Sequence, residues 1–252
     1  MARLNPIRQI FEKQQPFIIF HTHIIDRHIL DAAVAARKSL EVDLSIDEKG
    51  NIYVGHPLSH YIASNLPPPN NLPLDVILSE MKTAGLFLVL DCKNVRVLPK
   101  AQQIIKEYGV ENCVFHSWSD ALVLDSYMEE WDDIQPNWAE EELPHSEILK
   151  LRQATGVPMT LSCHRGLTRK RLQADGDVIV DQIAEILDGN AEGLSFVLPP
   201  DEVAPMSAMQ KLLEHHILPN IHIDNTPTEA RPPIYLGWTD HLEYASDPKD
   251  FR

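Results

Sequence analysis

Apolar residues in this chain fall into two kinds of run. Short stretches rich in β-branched and aromatic residues alternate with longer segments whose apolar positions recur every three or four residues. Eight extended runs are read this way: Phe17–His21, Leu40–Leu44, Leu86–Asp91, Asn112–His116, Val157–Cys163, Leu194–Leu198, Asn220–Asp224 and Ile234–Trp238. Helical periodicity falls between most of them, over Arg27–Lys38, Leu74–Thr83, Pro99–Tyr108, Asp120–Glu130, Glu141–Ala154, Asp177–Asp188 and Ser207–His216. Alternation of this kind predicts a parallel sheet with helices packed outside it.

Eight strands and 252 residues match a single (β/α)₈ TIM barrel spanning residues 1–252. Two places depart from strict alternation. Asn51–Val54 reads as a further extended piece behind the turn Asp47-Glu48-Lys49-Gly50, followed by the proline-rich loop Leu66–Asn71. Thr226–Pro233 is too short and too rich in proline to be a packed helix.

Composition narrows the function classes. The 22 Lys and Arg against 37 Asp and Glu leave a formal charge of −15, while 44% of residues are hydrophobic, which disfavours intrinsic disorder. An acidic balance argues against a general nucleic-acid binder and against docking on an anionic membrane, because Lys and Arg supply the phosphate-neutralising part of both interactions. Any anionic ligand must be met by a local positive centre. Met1–Gln15 has no apolar core of the signal-peptide kind, and the longest clean apolar run, Leu86–Leu90, is far short of the ~20 residues of a membrane-spanning helix. A cytoplasmic protein without membrane insertion is expected, with Cys92, Cys113 and Cys163 as reduced, buried thiols.

In a parallel barrel the reactive face lies at the C-terminal ends of the strands. Here those ends collect ionisable groups: His21-Thr22-His23, Glu41-Val42-Asp43, Asp91-Cys92-Lys93, His116, His164-Arg165, Asp224 and Trp238-Thr239-Asp240. Strand period places Glu41 and Asp43 on one face and Val42 and Leu44 on the other, and Asp91 and Lys93 obey the same rule. Three carboxylates converging from two strands repel one another in a low-dielectric mouth, and a bound divalent cation relieves this. Oxygen-only ligands suit Mg²⁺ or Ca²⁺ better than zinc. The basic run Arg165, Arg169, Lys170, Arg171 reads either as a solvated loop paired with Asp175 and Asp177 or as an anion clamp. Glu129–Asp133 and Glu140-Glu141-Glu142 read as solvated faces and helix starts. His28, His60, His145, His215, His216 and His222 are expected in surface or packing roles.

His21, Glu41-x-Asp43, His56-Pro57 and Asp91-x-Lys93 occur in the order seen in the glycerophosphodiester phosphodiesterase superfamily of barrels, which the chain resembles over about Phe17 to Asn94. The interval from His21 to Glu41, with Thr22-His23 where the phosphodiesterases have Arg-Gly, is more similar to the branch containing the sphingomyelinase D-type phospholipases. Further on, Phe115–Ser119 and Gly237–Asp240 are similar to the family's fourth-strand and closing segments. The resemblance implies His21 and His56 as a general acid/base pair and Glu41, Asp43 and Asp91 as ligands of one Mg²⁺ or Ca²⁺. It also implies Lys93 as a phosphate contact.

Two imidazoles with pKa near 6.5 suit both proton transfers of phosphodiester cleavage at neutral pH. His23 shares the inward face of His21 if the first strand continues, and Trp238 is either a wall against substrate or core. The function expected is therefore metal-dependent hydrolysis of a small or lipid-derived phosphodiester. Internal attack giving a cyclic phosphate, and a non-catalytic barrel that keeps the cation site, are the alternatives.

Overall fold

The computed structural model describes residues 5–63, 65, 70–124, 141–163, 167–198 and 202–251. Ten strands are present among them: β1 (Phe17–Phe20), β2 (Leu40–Ile46), β3 (Ile52–Val54), β4 (Leu88–Cys92), β5 (Cys113–Ser119), β6 (Glu142–Leu143), β7 (Met159–Cys163), β8 (Gly193–Phe196), β9 (Leu218–His222) and β10 (Leu236–Thr239). Eight of them pair in parallel in the order β1-β2-β4-β5-β7-β8-β9-β10, and β10 pairs back onto β1, so the sheet closes into a TIM barrel. All eight staves coincide with extended runs read from the sequence, with ends shifted by a few residues.

The two extra strands are short additions to the staves. β3 is the antiparallel return of the turn at Asp47–Gly50 and pairs with β2 through Leu44 and Val54. β6 pairs with Trp118 and Ser119 of β5. Because β7 already occupies the opposite edge of Trp118, β6 lies on the β4 side, beyond the end of β4.

Side-chain alternation on β2 fixes what enters the barrel. Leu40, Val42 and Leu44 join the layer between sheet and helices, beside Leu30 of α2 (Arg27–Ala36) and Ile77 and Met81 of a second helix, Leu74–Ala84. Burying each aliphatic side chain is worth ~1.5–3 kcal/mol, so the three together hold the register by roughly 5–9 kcal/mol. Glu41 and Asp43 are thereby committed to the lumen. Lower in the lumen, Phe17, Ile19, Phe87, Val89, Val114, Leu218, Leu236 and Trp238 form one apolar cluster.

An N-terminal helix, α1 (Pro6–Lys13), covers the opposite end of the barrel and was not legible in the sequence. Its Ile7 and Ile10 join the lumen cluster. Asn5 caps it, accepting from the Ile7 N–H at 3.0 Å, and its Nδ2 donates to the carbonyls of Val110 and Cys113 at the start of β5.

Three helical expectations are corrected. The helix expected from Asp177 begins at Arg169, where Thr168 Oγ1 caps the Arg171 N–H at 3.2 Å, and it runs to Leu187. The helix expected from Glu141 begins at His145, because Glu142 and Leu143 are strand. Of the helix expected over Asp120–Glu130, Asp120–Leu122 is a 3₁₀ turn and residues 125–130 lie outside the described residues. Thr226–Pro233 carries only a 3₁₀ turn at Thr228–Ala230, as its prolines require. The three cysteines are free and buried, and among the described residues no helix is long and apolar enough to cross a membrane.

Candidate active site at the barrel mouth

Asp43 and Asp91 are register partners on neighbouring staves, with Glu41 one step deeper opposite Val89. All three are buried. One carboxylate oxygen from each lies within 4.8 Å of the others. Glu41 Oε2, Asp43 Oδ1 and Asp91 Oδ1 are buried with no hydrogen-bond partner among the described residues. Orphaned buried acceptors cost about 1–3 kcal/mol each, more when charged. The three converging carboxylates form an all-oxygen donor set that fits a hard divalent cation.

Lys93 supplies part of the missing charge. Its Nζ lies 2.6 Å from Asp91 Oδ2, 3.5 Å from Asp43 Oδ1 and 3.7 Å from Glu141 Oε2. Lys93 thus sets one ammonium against the three carboxylates of Asp91, Asp43 and Glu141. Burial acts most strongly on Lys93 and would lower its pKa, yet Asp91, Asp43 and Glu141 hold it well above its ordinary value. Burial also raises Glu41 to about 8, assisted by Asp91 and Asp43 and opposed by His21 and Lys93. Asp43 goes the other way: burial favours its neutral form, but Lys93 and His56 hold its carboxyl well below the usual range.

Two imidazoles flank the carboxylates, each with Nδ1 on an acid. His21 follows β1, tied by its N–H to the Thr239 carbonyl at 2.9 Å, and its Nδ1 is 3.0 Å from Asp240 Oδ1. Burial lowers its pKa, but the Asp240 hydrogen bond and the charges of Glu41 and Asp43 prevail and bring it to about 9. His56 follows β3. Its N–H donates to the Tyr61 hydroxyl at 3.1 Å, its Nδ1 is 3.2 Å from Glu141 Oε1, and its Nε2 is 3.4 Å from Asp43 Oδ2. His23 stands between them, its ring 4.7 Å from that of His21 and 5.1 Å from that of His56. β1 ends at Phe20, so His23 reaches this position from a loop, with Nδ1 3.8 Å from Asp43 Oδ2.

Of the residues singled out in the sequence, the structure therefore brings together His21, His23, Glu41, Asp43, His56, Asp91 and Lys93. Trp238 is 8% exposed, packs with the lumen cluster and sets its ring 5.4 Å from that of His116. His116 is buried on Thr160 Oγ1 at 2.7 Å, and burial lowers its pKa.

One expectation is corrected. Glu141 is not a solvated acid: it is buried at the mouth between His56 and Lys93, carried there by β6. His222, expected in a surface or packing role, is a partly exposed rim residue with Nε2 3.4 Å from Asp240 Oδ1. The Glu-run gave no local cue for Glu141, whereas the polar ends of the last two staves did point to Asp240 and Asp224.

Arg171 pairs with Asp175 at 4.0 Å along its helix, and the Arg169 N–H donates to Glu202. His164 and Arg165 lie outside the described residues, as do residues 129–133.

No protein-family model and no curated protein matches the sequence. Solved structures do resemble the fold. A Galdieria sulphuraria protein provisionally described as a glycerophosphodiester phosphodiesterase superposes with a TM-score of 0.56 at 12% identity, covering 94% of this chain and 97% of that one. The YdjI aldolase from Escherichia coli K12 gives 0.49 at 11% identity, covering 94% and 80%. A phosphonopyruvate hydrolase complex with oxalate and Mg²⁺ gives 0.47 at 10% identity, covering 95% and 80%. At 12% identity the likeness to the Galdieria sulphuraria structure supports the TIM-barrel fold alone and leaves the chemistry to the mouth.

Proposed function

We propose that the chain is a metal-dependent phosphodiesterase acting on a small or lipid-derived phosphodiester. The observation that carries this reading is the placement of His21 and His56 beside Glu41, Asp43 and Asp91, each imidazole fixed through Nδ1 by a separate carboxylate. Glu41, Asp43 and Asp91 would hold one Mg²⁺ or Ca²⁺, which when bound supplies charge stabilisation at a non-bridging phosphoryl oxygen.

The chain's own residues account for the proton transfers. His21, whose Nδ1 hydrogen bond to Asp240 favours its protonated form, suits the acid that protonates the leaving oxygen. His56, held between Glu141 and Asp43, suits the base that receives the proton of the attacking hydroxyl or water. Lys93, already committed to Asp91, contributes to the positive field more than to a direct phosphate contact. His23, exposed beside both catalytic imidazoles, would bound the substrate space, while Trp238 belongs to the core beneath it. Water as nucleophile gives hydrolysis, and a neighbouring hydroxyl on the substrate gives a cyclic phosphate.

A second reading has its own support. Lys93 already sits among the carboxylates as a resident cation, which suits a non-catalytic barrel whose mouth binds a ligand. A panel of phosphodiesters assayed with Mg²⁺, Ca²⁺ and chelator, with thermal melting in the same buffers, separates the two. Cation-dependent turnover supports the phosphodiesterase. Cation-dependent stabilisation without turnover on any member supports the binding barrel.

A further inference from the structure

Asp240 is shared by two imidazoles. Its Oδ1 is 3.0 Å from His21 Nδ1 and 3.4 Å from His222 Nε2, and the donor atoms of all three side chains lie within 4.8 Å of one another. Ligands placed on a tetrahedron by bonds of ~2.0–2.1 Å stand about 3.4 Å apart. The two edges that meet at Asp240 Oδ1 are close to that length and the third is within 4.8 Å, so a movement of about an ångström closes the face on an ion.

The surroundings are also those of a ligating histidine. His222 Nδ1 is buried with no hydrogen-bond partner among the described residues and faces Asp224 Oδ2 at 3.8 Å. Asp224 is itself fixed by the Thr239 hydroxyl at 3.0 and 3.1 Å and by the Asp240 N–H at 2.7 Å. A small rotation of the ring toward this held carboxylate would make the hydrogen bond that sets a ligating histidine's tautomer and raises its basicity. The Asp240 side chain is 61% exposed, which leaves a route from solvent.

Two imidazoles and one carboxylate make a different donor set from the oxygen-only trio deeper in the mouth. Nitrogen donors favour zinc and its neighbours over Mg²⁺ or Ca²⁺. We propose that His21, His222 and Asp240 bind a zinc-class divalent ion at the rim, and that this ion switches off the catalytic site. On binding, the ion takes the place of the proton His21 shares with Asp240, and that proton passes to solvent. An imidazole metallated at Nδ1 keeps its other proton on Nε2, where it neither accepts a second proton nor readily releases the first. The inhibitory half rests on the acid/base role proposed for His21, and the binding half does not.

The test is a calorimetric titration of the whole protein with Zn²⁺ in saturating Mg²⁺, on wild type and on His222→Ala, with phosphodiester turnover read in parallel. Wild type is expected to bind one Zn²⁺ and lose turnover as it does so. His222→Ala is expected to bind Zn²⁺ at least tenfold more weakly, to keep wild-type turnover without zinc, and to resist zinc inhibition. His222→Gln, which refills the space, and Asp240→Asn are expected to show the same weakened binding, and serve if the alanine variant fails to fold. Unchanged zinc affinity in these variants, as for an ion seated on His23, Asp43 and His56, overturns the site. Zinc bound through His222 without inhibition overturns the switch. If no phosphodiester is turned over at all, the titration alone still decides the site.

Discussion

Nδ1 of His56 lies 3.2 Å from Oε1 of Glu141, a partner 85 positions further along the chain. The contact exists because β6 pairs with the last two residues of β5 and thereby delivers the preceding residue to the mouth. Glu141 does two things there, orienting the His56 ring and facing Lys93.

Replacing Glu141 by Gln keeps the shape of the side chain and removes its charge. Turnover is expected to fall on the order of 10–100-fold, the usual loss when a carboxylate that orients a histidine is removed. The loss should appear in kcat more than in KM, with the melting temperature little changed. A rise confined to KM, with kcat unchanged, would place Glu141 in substrate binding instead.

Replacing Lys93 by Met strands Asp91, Asp43 and Glu141 without their counter-charge in a buried site. The cost without metal is expected to be about 3–5 kcal/mol, the range for breaking a buried ion pair. Added Mg²⁺ should restore more stability to this variant than to wild type, because the ion replaces the lost positive charge. Denaturant unfolding of both proteins in chelator and in Mg²⁺ measures the difference. Equal Mg²⁺ stabilisation of the two would show that the carboxylates do not share a cation.

How stability varies with pH should also report on the carboxylates. In the metal-free protein Glu41 is raised to about 8 and His21 to about 9, so both bind protons in the folded state that they release when unfolded. Excess protons in the native state make stability fall as pH rises. The decline is expected from about pH 4.5 to 9 and steepest between about 6.5 and 8, where both groups act. Asp240 is lowered to about 2, chiefly by its His21 hydrogen bond, so its contribution is lost instead as pH falls below the usual carboxylate range. A divalent cation ionises Glu41 and shields His21, and should flatten the neutral-range slope. Melting curves across this range in chelator and in Mg²⁺ check it, and identical slopes would contradict a cation at Glu41.

What the sequence revealed and concealed follows from the range of the forces involved. The eight staves were legible because each buries a short apolar run, and the alternation on β2 alone committed Glu41 and Asp43 to the lumen. His21, His56, Asp91 and Lys93 were legible because they stand at the ends of such runs or just past them. α1 was concealed by polar neighbours around only two lumen-facing residues, Ile7 and Ile10. The first two turns of the long helix from Arg169 were concealed in the same way by a basic stretch whose N-cap, Thr168, resembles any loop threonine. Glu141 and His222 gain their partners only through pairing and closure of the barrel, which no local pattern encodes.

The most direct test of metal-dependent phosphodiester cleavage at this mouth compares turnover and Mg²⁺ affinity in His21→Ala and His56→Ala against wild type. Each variant is expected to lose ~10²–10⁴-fold in turnover, the usual worth of one acid/base group, while binding Mg²⁺ no more than a few-fold differently. Turnover that survives in both variants, or that persists in wild type under chelator, would contradict it.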